Sequence, residues 1–177
     1  MKIVIDTEKN IVMVDGDVVF NAESTGHKTD LAGMFEAYEG TKEYDGIVKV
    51  IQTWYYGDMV KAAWCATAVS YFAYICGLSD IVGKYENVDY MKENLRSKGR
   101  LDCTANYGGG AYKPKRNDLV FFSKYNTYTD CTHVMVVQEV KGDYVTCIGG
   151  NTDDAITSKT YNYKTNKYVV AFGNLQR

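Results

Sequence analysis

The sequence predicts an α+β fold in which helices come first and an antiparallel sheet of about five strands follows. Apolar residues recur at helical spacing through the middle of the chain, whereas the part after Asp118 consists of short apolar or alternating runs between turn signals. Helices that precede the strands, instead of alternating with them, favour a helical layer packed on one sheet. The 177 residues suffice for one domain with a substantial core.

The N-terminal residues have a different pattern from the rest of the chain. Residues 2–20 alternate apolar and polar side chains, with turn signals in between, which predicts two or three short strands. We therefore expect residues 1–25 to be an N-terminal strand add-on and residues 26–177 to be the main domain. Three roles stay open for the add-on: capping the sheet, blocking a groove as a pro-segment, or docking a partner.

Four helices and five strands are predicted in the main domain. Asp30 is a suitable N-cap for the first helix, and Gly77 and Gly99 are suitable residues to end the third and fourth. The predicted helices are 30–39, 43–55, 61–76 and 87–98, and the predicted strands are 118–123, 133–140, 144–150, 156–163 and 168–174.

Composition argues against several classes of function. The formal net charge is −2 with no basic block, so nucleic acid is not the expected partner. No apolar run approaches the roughly 20 residues of a membrane span, and no signal peptide is visible. We therefore expect a protein made in the cytoplasm, or exported by a route that the sequence does not encode. Since the cysteines form no CxxC pair, we expect no metal and no cofactor.

The apolar run of residues 60–77 contains the first candidate for chemistry. Cys65 stands near the start of this predicted helix, and Cys76 stands at its end. A thiolate is the reactive form of cysteine, and the positive end of the helix dipole favours it. We therefore predict that Cys65 is a nucleophile and that Cys76 belongs to the core.

A cysteine nucleophile needs a base, and the chain has only two histidines, His27 and His133. His27 lies in a polar loop, where a solvated or structural role is expected. His133 opens a strongly apolar strand, where it can meet Cys65 or simply cap the strand. Asn151, at the end of the following strand, is placed to orient the imidazole, although an asparagine there is also an ordinary turn residue.

Four short motifs follow one another over roughly residues 50–173. Their positions are Trp64, Cys65 and Ala66; Pro114 and Asp118; His133 and Val134; and Ile148, Gly150 and Asn151. In this order they resemble the CHAP domain family of cysteine, histidine-dependent amidohydrolases and peptidases. That family is related to NlpC-type cell-wall peptidases and more distantly to papain. The resemblance implies a papain-like or NlpC-like fold.

Two positions depart from the family pattern. Asn117 stands where a glycine is usual, and Gly149 stands where many members carry a glutamate that helps to orient the histidine. With Gly149 in that place, Asn151 has to orient His133 alone.

The resemblance implies a peptidoglycan hydrolase that forms an acyl-enzyme. Cys65 would attack the amide carbon, and His133 would accept the thiol proton. The bond is either that between the glycan lactyl group and L-alanine or one within the stem peptide or cross-bridge. Tyr56 and Trp64 are candidates for the oxyanion donor or for substrate contact, and no metal or cofactor is implied.

Alternative functions stay open at this stage. The same fold fits a toxin or effector that hydrolyses another amide, or a catalytically degenerate module that binds wall fragments. In the leading hypothesis, the partner is peptidoglycan or a peptide substrate, with neither nucleic acid nor membrane involved. The protein would then act at the cell wall of bacteria, reached by secretion or, as for a phage endolysin, by lysis.

Overall fold

The computed structural model describes residues 30–177 in full and residues 3–6, 11–14 and 17–21 as backbone strands. The three N-terminal strands are β1 (Ile3–Asp6), β2 (Ile11–Val14) and β3 (Asp17–Asn21). They pair antiparallel in the order β1-β2-β3, which confirms the predicted N-terminal strands. His27 lies outside the described residues.

The helical part contains the four predicted helices and one short helix that the pattern missed. Asp30 caps the first helix as predicted, because its Oδ1 accepts a hydrogen bond from the Gly33 N–H at 2.8 Å. Gly77, at φ +69°, follows the third helix and permits the left-handed turn that ends it. The helices are α1 (Leu31–Glu36), α2 (Gly46–Tyr56), α3 (Cys65–Ile75), α4 (Ser79–Val82) and α5 (Val88–Ser97).

The strands of the main domain form one six-stranded antiparallel sheet in the order β4-β9-β5-β6-β7-β8. The α+β prediction is therefore confirmed, with one strand more than expected. The additional strand, β4, has only three half-buried residues, which is too short for an alternating pattern to be visible. The strands are β4 (Leu101–Cys103), β5 (Leu119–Phe122), β6 (His133–Lys141), β7 (Tyr144–Thr152), β8 (Ala155–Asn162) and β9 (Val169–Gly173).

The helices cover one face of this sheet, and α3 lies against β6 and β7. Alternate residues of β6 therefore enter different apolar clusters. Val134 and Val136 pack with the helices, whereas Met135 and Val137 pack in a second cluster on the other face. Because α3 contacts both strands, its first turn is placed close to the start of β6 and the end of β7.

Helix α3 begins at Cys65 and not at residue 61, where the apolar run predicts its start. Residues 60–64 are mostly apolar but irregular, and the chain approaches them through the left-handed Gly57 at the end of α2. The shift matters because it makes Cys65 the first helical residue instead of one a full turn inside. None of the helices in the described residues is long and apolar enough to cross a membrane.

Candidate active site

The Cys65 thiol lies at the N-terminus of α3 and is 3% exposed. Backbone N–H groups of Val134, Ala66 and Cys65 itself lower its pKa by hydrogen bonding, since they favour the thiolate. Burial has the larger effect and raises the pKa of the thiol above its ordinary value. The expected low pKa is therefore wrong for this state of the site, because desolvation outweighs the helix N-terminus.

Trp64 fixes the start of the helix by packing on a glycine of β7. The Trp64 ring is fully buried, and a Cβ at Gly150 would lie 2.3 Å from its Cζ3 atom. Only a residue without a side chain leaves room for the ring there. The tryptophan of the first motif and the second glycine of the last motif are therefore two sides of one contact.

His133 opens β6, and its ring is half-buried. Its Nε2 atom lies 3.0 Å from the Thr152 hydroxyl oxygen. Burial, and after it the charge of Lys159, lowers the pKa of His133 to about 4. The imidazole is therefore neutral at physiological pH, and it can accept a proton at the nitrogen that Thr152 does not engage.

In the structure the hydrogen-bond partner of His133 is Thr152, whereas Asn151 is the predicted one. Extending the β6–β7 register from Val136 opposite Ile148 would place Asn151 opposite His133. In this part of β7, however, the pairing with β8 is irregular between Gly149 and Thr152. Asn151 adopts φ +57°, and this left-handed residue advances Thr152 to the imidazole. Within residues 30–177, no hydrogen bond joins the Asn151 amide to His133.

The Cys65 thiol and the His133 imidazole both lie at the start of β6. The Val134 N–H that reaches the Cys65 thiol belongs to the residue after His133. Among the fully described residues, the ring of His133 has its hydrogen bond with Thr152 and none with Cys65. The thiol is therefore neutral, and the imidazole is neutral with its Nδ1 not engaged by Thr152.

The structure gives Tyr56 a different role from the predicted oxyanion donor. Its hydroxyl donates to the Glu86 carboxylate at 2.7 Å, and burial together with Glu86 raises its pKa. A hydroxyl that already donates to a carboxylate has no second proton for an oxyanion. Tyr56 therefore joins α2 to the segment before α5.

Trp64 cannot stack on a substrate while its ring is fully buried. Its indole Nε1 nevertheless has no hydrogen-bond partner among the described residues. A buried donor without a partner beside the nucleophile keeps Trp64 as a candidate oxyanion donor, in addition to its packing role.

Both departures from the family pattern have a local explanation. Asn117 adopts φ +75°, a left-handed conformation that asparagine tolerates better than most residues. Its side chain also accepts a hydrogen bond from the Ala32 N–H at 2.9 Å. At Gly149 a Cβ would lie 2.9 Å from the Met135 Cγ atom, so Met135 occupies the space that a side chain would need.

The described residues contain no group of three or more histidine, cysteine, aspartate or glutamate side chains that could hold a metal ion. A thiol can supply a nucleophile and an imidazole can supply a base. Three parts of this site have no strong sequence signal: the Thr152 hydroxyl, the Val134 N–H and the Lys159 charge.

Comparison with known proteins gives one family match. The family model of the CHAP domain matches residues 54–151, which include Trp64, Cys65, His133 and Asn151. No curated protein matches the sequence. Among solved structures, the chain is similar to the crystal structure of Ly7917, with 14% identity and a TM-score of 0.40, over 62% of this chain and 52% of that one. The chain thus spans about half the length of that protein. With more than half of its residues matched by the family model, the chain belongs to the CHAP domain family, a family of amidase- and peptidase-type hydrolases.

Proposed function

We propose that this chain is a peptidoglycan hydrolase with a papain-like fold, which cleaves a wall amide through a Cys65 acyl-enzyme. One observation carries the proposal: Cys65 begins the central helix beside the strand that His133 opens. A buried cysteine that served only packing would not need N–H donors to its sulfur. It would also not need a histidine directly before Val134, the strand residue that provides one of these donors. In this proposal the protein acts at the cell wall.

The reaction begins with transfer of the Cys65 Sγ proton to His133 Nδ1. The sulfur attacks the amide carbon, and the carbonyl π electrons move to the oxygen. The Cys65 backbone N–H interacts with its own thiol in the resting site and has no carbonyl partner in the helix, because Cys65 is the first helical residue. In the proposal it donates to this oxyanion once the sulfur has attacked. Trp64 Nε1 is the second candidate donor.

Collapse of the tetrahedral intermediate breaks the carbon–nitrogen bond. The His133 imidazolium gives its proton to the leaving amine, and a thioester remains on Cys65. His133 then removes a proton from water, which attacks the thioester and releases the acid and the thiol. Thr152 holds the ring throughout, with Nε2–H donating to its hydroxyl oxygen.

The neutral state of Cys65 and His133 bears on when the thiol proton is transferred to the imidazole. Since the pKa of the Cys65 thiol is raised and that of His133 is lowered to about 4, the ion pair is not the resting state. In the proposal, proton transfer therefore accompanies attack of the sulfur on the carbonyl carbon.

Digestion of purified peptidoglycan tests the proposal. The unmutated protein should release new ends that mass spectrometry identifies, and Cys65→Ala should release none. A new L-alanine amino terminus would identify an amidase, and a cut in the stem peptide or cross-bridge would identify an endopeptidase. Cys76→Ala, at the other end of the same helix, is the matched control and should retain activity. Equal release by the Cys65→Ala protein would contradict the proposal.

One observation favours a second function, that of a non-catalytic module that binds wall fragments. The Cys65 thiol is only 3% exposed, so substrate has little access to it in this conformation. A binding module would sediment with intact peptidoglycan without releasing any ends, and Cys65→Ala would leave sedimentation unchanged. Release of ends by the unmutated protein would exclude this function.

A further inference from the structure

Lys159 brings a positive charge to the side of the His133 imidazole. It lies in β8 opposite Cys147, and its Nζ atom lies 2.8 Å from an Asp153 carboxylate oxygen. Asp153 directly follows Thr152, which holds the imidazole. The Lys159 side chain therefore runs along the sheet toward the catalytic strand ends and places its ammonium group there.

The path of this side chain crosses a stretch of β7 that has no side chain of its own. Gly149 lies between Cys147 and the end of the strand on the same face, and it pairs with Thr157. Position 149 itself places no side chain between Lys159 and Asp153, although Met135 fills the space that a Cβ there would take.

The ion pair between Lys159 and Asp153 is easily exchanged. The Lys159 side chain is 41% exposed and the Asp153 side chain 73% exposed. Pairs this open to water contribute little to stability, because solvent screens the attraction. Asp153 also belongs to a two-residue turn with Asp154 in which both residues have positive φ, at the exposed tip of the β7–β8 hairpin.

We propose that Lys159 recognises a carboxylate of the substrate next to the scissile amide and that Asp153 holds its place until the substrate binds. This inference rests on the proposed function. It names the substrate class as a peptide with a free carboxylate close to the bond that Cys65 attacks.

Substrate binding would then also adjust the base. Lys159 of β8 is the charged group that acts on His133, and Asp153 of the hairpin turn pairs with it. The other titratable groups of this region are Cys65 of α3 and Tyr161 of β8. Phe122 of β5 adds only an apolar ring, with its centroid 6.1 Å from that of the imidazole. Tyr161 donates its hydroxyl to Met135 Sδ at 3.8 Å, so Lys159 is the cation that a bound carboxylate can neutralise. Neutralising it makes protonation of His133 easier at the moment when His133 must accept a proton.

An NMR titration tests the inference without requiring turnover. The chain has two histidines, so two imidazole signals are expected, and His27→Asn assigns them. In the Cys65→Ala protein, a stem dipeptide with a free carboxylate should raise the pKa of His133, and the same dipeptide amidated should not. Lys159→Met should raise that pKa in the absence of peptide and abolish the response. Lys141→Met removes another exposed ion pair, that with Glu139. It should change neither the pKa of His133 in the absence of peptide nor its response to the free-acid dipeptide.

A kinetic comparison completes the test. The unmutated protein should cleave the free-acid substrate with a kcat/KM about tenfold or more above that of the amidated one, as expected for one charge-assisted hydrogen bond. Lys159→Met should bring the ratio of the two kcat/KM values to about one, and Lys159→Arg should preserve the preference for the free acid. Cleavage of neither substrate would contradict the proposed function alone, because the NMR titration still tests the carboxylate site. Equal responses of His133 to both dipeptides, no response to either, or a preference that survives Lys159→Met would overturn the inference.

Discussion

The two halves of the candidate site are built in different ways. The thiol half is fixed by packing, since Cys65 begins a helix whose N-cap, Trp64, lies against Gly150. The imidazole half depends on one hydrogen bond, between His133 Nε2 and the Thr152 hydroxyl, at the end of a strand that enters an exposed turn. Burial keeps the first half rigid, whereas the second half can respond to whatever binds beside it.

The pKa of the thiol is set mainly by burial, whereas the pKa of the imidazole also depends on a charge that a ligand can change. Burial dominates the Cys65 thiol and raises its pKa, although three N–H groups oppose the effect. For His133, burial acts together with the charge of Lys159, and that charge can change when a ligand binds. The imidazole is therefore the half at which substrate and pH are expected to act.

Cys65→Ala tests the thiol half and should have the largest effect. Without the sulfur there is no acyl-enzyme, so kcat/KM should fall by about 10³-fold or more. The measurement is release of amino ends from peptidoglycan. Cys76→Ala keeps the same helix and should stay within about twofold of the unmutated protein, as for a substitution away from the site. A comparable loss in both variants would indicate unfolding of α3 and not loss of the nucleophile.

Gly150→Ala tests the packing of that half. The added methyl group would lie 2.3 Å from Trp64 Cζ3, and overpacking of this kind costs about 1–3 kcal/mol of unfolding free energy. Urea unfolding measures the loss. Adding Trp64→Phe, which shortens the ring, should recover part of it in a double-mutant cycle. Additive effects of the two substitutions would show that they do not share one contact.

Thr152→Val tests the imidazole half. It keeps the shape of the side chain and removes the hydroxyl, so kcat/KM should fall by about 10–100-fold, the loss of one buried hydrogen bond. Thr152→Ser should restore most of the activity. Asn151→Gly suits the left-handed backbone at that position, removes the amide and should have a much smaller effect. A larger loss for Asn151→Gly than for Thr152→Val would reinstate Asn151 as the orienting residue.

The pH dependence also concerns the imidazole half. His133 must be neutral to accept the thiol proton, and its pKa lies at about 4. The rate should therefore fall as the pH drops through about 4, and it should be nearly constant between pH 5.5 and pH 7. A pH profile of kcat/KM measures this. An acid limb near the ordinary histidine value of about 6.5 would contradict the desolvated environment described for His133.

Tyr56→Phe should have the smallest effect. The hydroxyl donates to Glu86, so its removal should change kcat by less than about threefold, far below the roughly 10²-fold effect of losing an oxyanion donor. Steady-state kinetics of this variant, with Glu86→Gln as its matched partner, measure the effect. A loss of two orders of magnitude in Tyr56→Phe alone would return the tyrosine to the oxyanion site.

Local patterns in the sequence predict the helix and strands that carry the site, but not the residue at which α3 begins. The apolar helix, its glycine stop after Cys76 and the strands that start at His133 and Tyr144 all follow from spacing and turn residues. The Thr152 contact does not, because it depends on where β7 leaves its regular register. The sequence signal of that irregularity was the run of asparagine and aspartate at positions 151, 153 and 154, since these residue types tolerate positive φ. All three adopt positive φ in the structure.

The net pKa shifts could not be read from the sequence either. The helix N-terminus predicts a lowered thiol pKa, and that contribution is present at Cys65. Its size relative to burial depends on how closely the strands cover the helix start, which is a property of the tertiary fold. The same holds for Lys159, whose effect on His133 depends on pairing between β7 and β8.

Covalent capture tests the central claim, that Cys65 is a nucleophile activated by His133, most directly. A stem-peptide analogue that carries a vinyl sulfone in place of the scissile amide would be incubated with the protein, and the adduct mapped by mass spectrometry. We predict a single adduct at Cys65, even though four other cysteines are present, and its loss in His133→Ala. An adduct at another cysteine, or labelling of Cys65 that does not depend on His133, would contradict the account.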